Sequence, residues 1–93
     1  GIDTYELHYL AGRIAEKLGD LDRAAEEYEA CIDRMPDHIR AWEGRIALAD
    51  ESERDALLAN ALPWLDAEAA ERLTTLRARL AAAQSPPADA AAP

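Results

Sequence analysis

The dipeptide Gly19–Asp20 constrains the fold of this chain more than any other feature of its sequence. One pattern of apolar residues at helical spacing ends just before it, and a second pattern begins directly after it. Glycine favours the C-terminal end of a helix, and aspartate is a good N-cap for the helix that follows. Because so short a connection makes neighbouring helices antiparallel, the sequence predicts a helical hairpin.

The two patterns around this turn are well defined. The first places five apolar residues on one face, namely Leu7, Leu10, Ala11, Ile14 and Leu18. The second carries Leu21, Ala24, Ala25, Tyr28, Ile32 and Met35. Asp3 together with Glu6 is expected to cap the first helix, and Pro36 is expected to end the second.

Three further helical patterns follow. One runs from Asp37 to about Asp50 and contains Trp42; a shorter one is expected to begin at an N-cap Ser52 and to end at Pro63; the last is expected to begin at an N-cap Asp66. Trp42 and Trp64 are both expected in the core, with a partly exposed anchor for a partner as the alternative. We therefore predict an all-α fold of about five helices, arranged as antiparallel helical hairpins stacked in a short α-solenoid.

Composition excludes several partner classes. The chain has 10 Lys and Arg against 19 Asp and Glu, a net charge of −9. This charge repels phosphate backbones, so we expect no nucleic-acid partner. An anionic membrane surface is disfavoured for the same reason, and the sequence holds no apolar run of membrane-spanning length. Residues 84–93 are rich in Pro and Ala and are predicted to form a disordered tail.

The sequence shows no catalytic or metal-binding pattern. His8 and His38 have no carboxylate or cysteine at the spacings of known metal motifs, and Cys31 is expected to be a buried structural thiol. We predict a protein that is not an enzyme and that binds no metal and no cofactor. The chain begins at Gly1, so we expect it to be part of a longer protein; the cytoplasm is favoured, with the periplasm as the alternative if a signal was removed.

Residues 5–38 resemble one tetratricopeptide repeat, a helix–turn–helix unit of about 34 residues. The matching residues are Gly12, Gly19, Leu21, Ala24, Tyr28, Cys31, Ile32 and Pro36. His8 replaces the usual aromatic residue of the first helix, and Ala15 replaces a usual tyrosine. Residues 39–65 resemble a degenerate second unit, in which Trp42 agrees but Gly44 is displaced by two positions. Residues 66–83 would then form a capping helix, so that the domain spans residues 1–83.

The resemblance implies a concave groove, lined by the first helices of successive units, that takes an extended peptide or a partner helix. It places Glu6, Tyr9, Arg13, Glu16 and Lys17 of unit one there, and Arg40, Glu43, Gly44 and Ala47 of unit two. The candidate partner-binding residues are Tyr9, Arg13, Lys17, Arg40 and Glu43. Some members grip a terminal carboxylate with a lysine and asparagines, and Arg13 stands where the first asparagine would be.

The sequence suggests two functions, one for the groove and one for the apolar flank of the first helix. In the first, the protein is a non-catalytic interaction module, whose cations Arg13, Lys17 and Arg40 suit a partner with an acidic side chain or a C-terminal carboxylate. The alternative for these cations is simple pairing with neighbouring glutamates. In the second function, the exposed apolar flank formed by Leu7, Leu10 and Ile14 mediates homo-oligomerisation or docking onto upstream repeats.

Overall fold

The computed structural model describes residues 1–84, and these residues form an all-helical structure with no strand. The elements are α1 (Thr4–Lys17), α2 (Leu21–Arg34), α3 (Ile39–Leu48), α4 (Glu51–Ala61), a short 3-10 turn (Leu62–Trp64) and α5 (Ala67–Gln84). The predicted all-α class and the five helices are confirmed. Apart from Gln84, which belongs to α5, the tail predicted for residues 84–93 lies outside the described residues.

The turn between α1 and α2 has the predicted chemistry. Gly19 has a positive φ of 80°, and its N–H donates to the carbonyl of Glu16 at 3.0 Å. The N–H of Asp20 donates to the carbonyl of Ala15 at 2.9 Å, which completes a Schellman ending of α1. The Asp20 side chain then accepts from the N–H of Arg23 and caps α2. This turn therefore ends one helix and starts the next within two residues.

Three other helix starts differ from the predictions. Helix α3 begins at Ile39 rather than at Asp37, because the ring Nδ1 of His38 accepts the N–H of Ala41 and takes the N-cap position. Helix α4 begins at Glu51 after an extended Asp50, so Ser52 lies inside the helix and is not its cap. Asp3 holds the N-cap position of α1 without a side-chain cap bond; its carbonyl accepts from the first turn instead. The predicted cap Asp66 does accept the N–H of Ala69, at 2.8 Å.

The helices stack as two successive hairpins and a final helix. Helix α2 packs between α1 and α3, while α5 packs against both α3 and α4. The buried core lies along these contacts and consists of Ala15, Ala24, Tyr28, Cys31, Ile32, Ala41, Trp42, Ile46, Ala61 and Leu73. The core thus runs as one continuous layer through the stack.

The Tyr28 ring is held between two glycines of neighbouring helices. A Cβ atom added to Gly12 would lie 2.7 Å from Cε1 of the ring, and one added to Gly44 would lie 2.6 Å from Cε2. Any side chain at either position would collide with the ring. Gly44 is therefore placed as well for this contact as Gly12 is, although it departs from the spacing of the repeat pattern.

The two tryptophans have different surroundings. Trp42 is buried, as predicted, and its Nε1 donates to the carbonyl of Pro36 at 2.7 Å. Trp64 is 58% exposed on the 3-10 turn, so the prediction of a core position for it is wrong. Pro63 lies at the start of this turn, where its fixed φ suits the tight backbone. Leu21, expected on the apolar face of α2, is also exposed, because it lies in the first turn of that helix beyond its neighbours.

Candidate functional site

A concave groove of about 380 Å³ lies between α1, α3 and α5. Its walls come from three helices that stand side by side on one surface of the stack. The lining residues are Tyr9, Arg13, Glu16, Tyr28, Arg40, Glu43, Gly44, Ala47, Arg72 and Leu76. The groove therefore brings together side chains from four separate helices of the chain.

Aromatic rings form the floor of the groove. The Tyr9 ring lies 5.9 Å from the Tyr28 ring and 4.9 Å from the ring of His38, measured between centroids. Tyr28 approaches the groove surface because Gly44 places no side chain over it. Since His38 caps α3, these ring contacts join α1 to α2 and to the start of α3, with His38 beside the groove rather than in its lining.

Both carboxylates of the groove already have partners. The Tyr28 hydroxyl donates to Glu16, and burial together with this bond raises the pKa of Tyr28 well above its ordinary value. Glu43 accepts two hydrogen bonds from Arg72 of α5, at 2.8 and 2.9 Å. The bonds to Glu43 also raise the pKa of the Arg72 guanidinium. Glu43 is thus paired with a cation, whereas Glu16 accepts a hydrogen bond from a neutral hydroxyl and keeps its charge.

Two of the groove cations have no such partner. Arg13 donates from Nη1 to the Tyr9 hydroxyl at 3.0 Å, and its guanidinium lies 5.9 Å from the centre of the Tyr9 ring. Within residues 1–84, neither Arg13 nor Arg40 has a carboxylate oxygen within 4.0 Å. The predicted pairing of these cations with neighbouring glutamates is thus absent from this part of the chain. Both guanidiniums stay available for an anionic group.

The candidate residues separate into two places. Tyr9, Arg13, Arg40 and Glu43 line the groove together, although they come from α1 and α3. Lys17 does not line it; on α1 it lies one turn beyond Arg13, closer to the apolar residues of the outer face. The sequence analysis missed Arg72 and Leu76, because no spacing in the sequence links α5 to a groove formed by the two earlier hairpins.

The histidines and the cysteine have structural contacts. The Nδ1 atom of His8 lies 2.9 Å from Oε2 of Glu27, which joins α1 to α2, and this hydrogen bond is the main cause that lowers the pKa of Glu27. Cys31 is fully buried, and burial raises its pKa to about 11, which disfavours the nucleophilic thiolate.

Two other kinds of site can be assessed from the described residues. Residues 1–84 contain no group of three or more His, Cys, Asp or Glu side chains placed to hold a metal ion. No helix in this part of the chain combines the length and the hydrophobicity that crossing a bilayer requires.

We compared the chain with protein-family models, with curated proteins and with solved structures. None of the three comparisons finds a match to it.

Proposed function

We propose that this chain is a non-catalytic protein-interaction module of the tetratricopeptide-repeat type. Its groove between α1, α3 and α5 takes an extended segment of a partner protein that carries an acidic side chain or a C-terminal carboxylate. The observation that supports this most directly is the charge state of the groove. Its carboxylates are engaged by Tyr28 and Arg72, while Arg13 and Arg40 have no carboxylate partner in residues 1–84.

The geometry of the repeat supports the same proposal. The close packing of Tyr28 against Gly12 is the contact that the repeat pattern implies, and Gly44 completes it from the next hairpin at a position outside that pattern. The first helices of both units, α1 and α3, line the groove, and α5 supplies the third wall. Because residues of the three helices converge there, an extended peptide can touch all of them at once.

The chemistry of the surface limits the partner further. A guanidinium forms strong, charge-assisted hydrogen bonds with a carboxylate, and the aromatic floor beside Arg13 offers contact for an apolar side chain. The protein as a whole carries a net charge of −9, so a uniformly acidic partner is repelled at long range. We therefore expect a partner segment in which one or two acidic groups stand beside apolar residues.

Fluorescence anisotropy with a matched pair of peptides tests this proposal. The probe is a labelled heptapeptide with two glutamates beside a leucine and a free terminal carboxylate; its control has glutamines and a terminal amide. We expect the acidic peptide to bind at least about tenfold more tightly, a difference of about 1.4 kcal/mol. Equal binding of the two peptides would contradict a carboxylate-directed groove.

The variant Arg13→Glu connects that binding to the groove. We expect it to weaken the acidic peptide about tenfold or more and to leave the melting temperature unchanged, because Arg13 is exposed. The matched control is Arg34→Glu, which changes net charge equally on an exposed arginine outside the groove. If both variants bind the peptide equally well, the groove is not the binding site.

A further inference from the structure

The outer face of α1 carries a stripe of apolar side chains that no other described helix covers. On α1, Leu7 is 52% exposed, Leu10 is 47%, Ile14 is 59% and Leu18 is 79%. Ile2, just before the helix, and Leu21, just after it, add two more exposed side chains, at 57% and 52%. This exposure confirms the predicted apolar flank. Single exposed leucines are ordinary, but a contiguous stripe of this size on one helix marks an interaction surface.

The stripe is distinct from the groove. At about 100° per residue, Leu7, Ile14 and Leu18 lie within about 40° of one another on α1, whereas the groove residues Tyr9 and Arg13 lie well away from them. None of the six stripe residues lines the groove. A partner on the stripe therefore leaves the groove open.

We propose that this stripe pairs with the same stripe of a second copy of the chain, with the two α1 helices antiparallel about a two-fold axis near Leu10. The charged residues near the two ends of the stripe indicate that its partner is a second copy of the chain. The first half of α1 and its cap carry the acidic Asp3 and Glu6, while the second half carries the basic Lys17 outside the groove. Glu16, the remaining acid of the second half, is held in the groove by Tyr28.

Antiparallel pairing brings these opposite charges together. Asp3 and Lys17 each stand seven residues from Leu10, so a two-fold axis near Leu10 places Asp3 of one copy opposite Lys17 of the other. Symmetry then creates this ion pair twice, once at each end of the interface. Antiparallel helices also align their macrodipoles favourably. A parallel pairing would instead place Lys17 against Lys17 and Asp3 against Asp3, so the charge pattern selects the antiparallel arrangement.

The size of the stripe sets the affinity that we expect for the dimer. Three half-exposed aliphatic side chains on α1, with the C-cap Leu18, Ile2 and Leu21 near its ends, form a smaller contact than the roughly 800 Å² per partner of a standard interface. The net charge of −9 on each copy also opposes association. We therefore expect a weak dimer, with a dissociation constant on the order of tens of micromolar.

Sedimentation equilibrium between about 5 and 500 µM tests the association. The expected result is an apparent mass that rises from 10.2 kDa towards twice that value over this range. Leu10→Glu places two carboxylates at the two-fold axis and should weaken association at least about tenfold. The control Leu62→Glu makes the same change at an exposed leucine on the 3-10 turn and should leave association unchanged. A mass of 10.2 kDa at every concentration would overturn the proposal and leave the stripe for a different chain.

A charge exchange tests the antiparallel orientation independently of Leu10. Lys17→Glu should weaken the dimer severalfold, and adding Asp3→Lys should restore it, because the pair is then re-formed with its charges reversed. Failure of the second change to restore association, with helicity by circular dichroism unchanged, would overturn the antiparallel arrangement. None of these residues lines the groove, so peptide binding and dimer formation can fail separately.

Discussion

The two junctions that hold this stack together are built from opposite kinds of side chain. At the first junction, where α2 meets α1 and α3, the centre is the Tyr28 ring, buried between Gly12 and Gly44, while the pairs Arg45–Glu29 and His8–Glu27 are partly exposed. At the second junction, where α4 meets α3 and α5, the central groups are the guanidiniums of Arg54 and Arg77. Neighbouring helices are thus joined mainly by the fit of an aromatic ring at the first junction and by hydrogen bonds of charged side chains at the second.

The second junction depends on one buried arginine. Arg54 is 4% exposed; its Nε donates to the carbonyl of Ile46 and its Nη2 to that of Ala47, each at 3.1 Å. These carbonyls belong to the last turn of α3; that of Ile46 also accepts the N–H of the C-cap residue Ala49 at 3.2 Å. Glu51 accepts from Arg54 at 2.9 Å and lies 2.8 Å from Arg77 of α5. A single network therefore connects the end of α3 to both later helices.

The difference shows how each junction responds to change. Where an aromatic ring packs between two glycines, a larger or smaller side chain at any of the three positions destabilises the protein, because neither a gap nor an added atom can be accommodated. A network of guanidiniums and carbonyls loses stability when one partner is removed, because the remaining polar groups are left buried without bonds.

We expect the largest loss of stability from Tyr28→Ala. Removing a fully buried aromatic ring leaves a cavity between α1 and α3, and the expected cost is about 3–5 kcal/mol in the free energy of unfolding. Urea denaturation followed by circular dichroism measures it. Tyr5→Ala, at a half-buried ring near the start of α1, is the matched control and should cost much less.

The glycine partner of the ring sharpens this test, because the effect of its substitution should change sign. In the unaltered protein Gly44→Ala should destabilise by about 1 kcal/mol, since the collision with Tyr28 outweighs the better helix propensity of alanine. With Tyr28→Ala already present the space is empty, and Gly44→Ala should stabilise by about 1 kcal/mol. Additive effects of the two changes would show that the ring and the glycine do not pack as the structure indicates.

At the second junction, Arg54→Met should cost about 2–3 kcal/mol. Methionine retains an unbranched apolar stem but donates no hydrogen bond, so the carbonyls of Ile46 and Ala47 lose these donors. The same urea titration measures it, and faster amide exchange in the last turn of α3 should accompany the loss. Arg79→Met is the control, because Arg79 is exposed and has no ion pair within residues 1–84. An unchanged or higher stability would mean that apolar packing, rather than this network, holds the second junction.

The first junction could be predicted from sequence much better than the second. Gly19, Asp20 and Pro36 act through the local backbone, so their positions fixed the ends of α1 and α2 before any packing was known. Gly12 and Tyr28 were recognised because a glycine inside a helix is unfavourable unless something packs closely against it. The candidate groove residues of α1 and α3 were predicted from the resemblance of the sequence to a tetratricopeptide repeat.

The second junction gave no comparable signal. Arg54 reads as a solvated arginine in the acidic run from Asp50 to Asp55, and its burial depends on carbonyls that only the folded end of α3 presents. The pairing of Arg72 with Glu43 joins residues 29 positions apart and so has no short-range pattern. Charged contacts between distant helices are decided by the assembled fold, whereas glycine, proline and caps are decided locally.

The smallest expected effect concerns the contact between His8 and Glu27, which joins the two helices of the first hairpin. The hydrogen bond from His8 and the charge of Arg23 lower the pKa of Glu27 in the folded protein, against the opposing effect of burial. A carboxyl whose pKa is lowered by folding stabilises the protein above its unfolded pKa, and this contribution is lost as the pH falls through the folded value. Between about pH 5 and pH 3 the unaltered protein should therefore lose slightly more free energy of unfolding than Glu27→Gln does. Urea titrations at pH 6 and at pH 3.5 measure the difference, with Glu26→Gln, at an exposed neighbour, as the control. Parallel pH profiles for all three proteins would show that the charge of Glu27 adds no stability to the contact between α1 and α2, which would sharpen the contrast with the second junction.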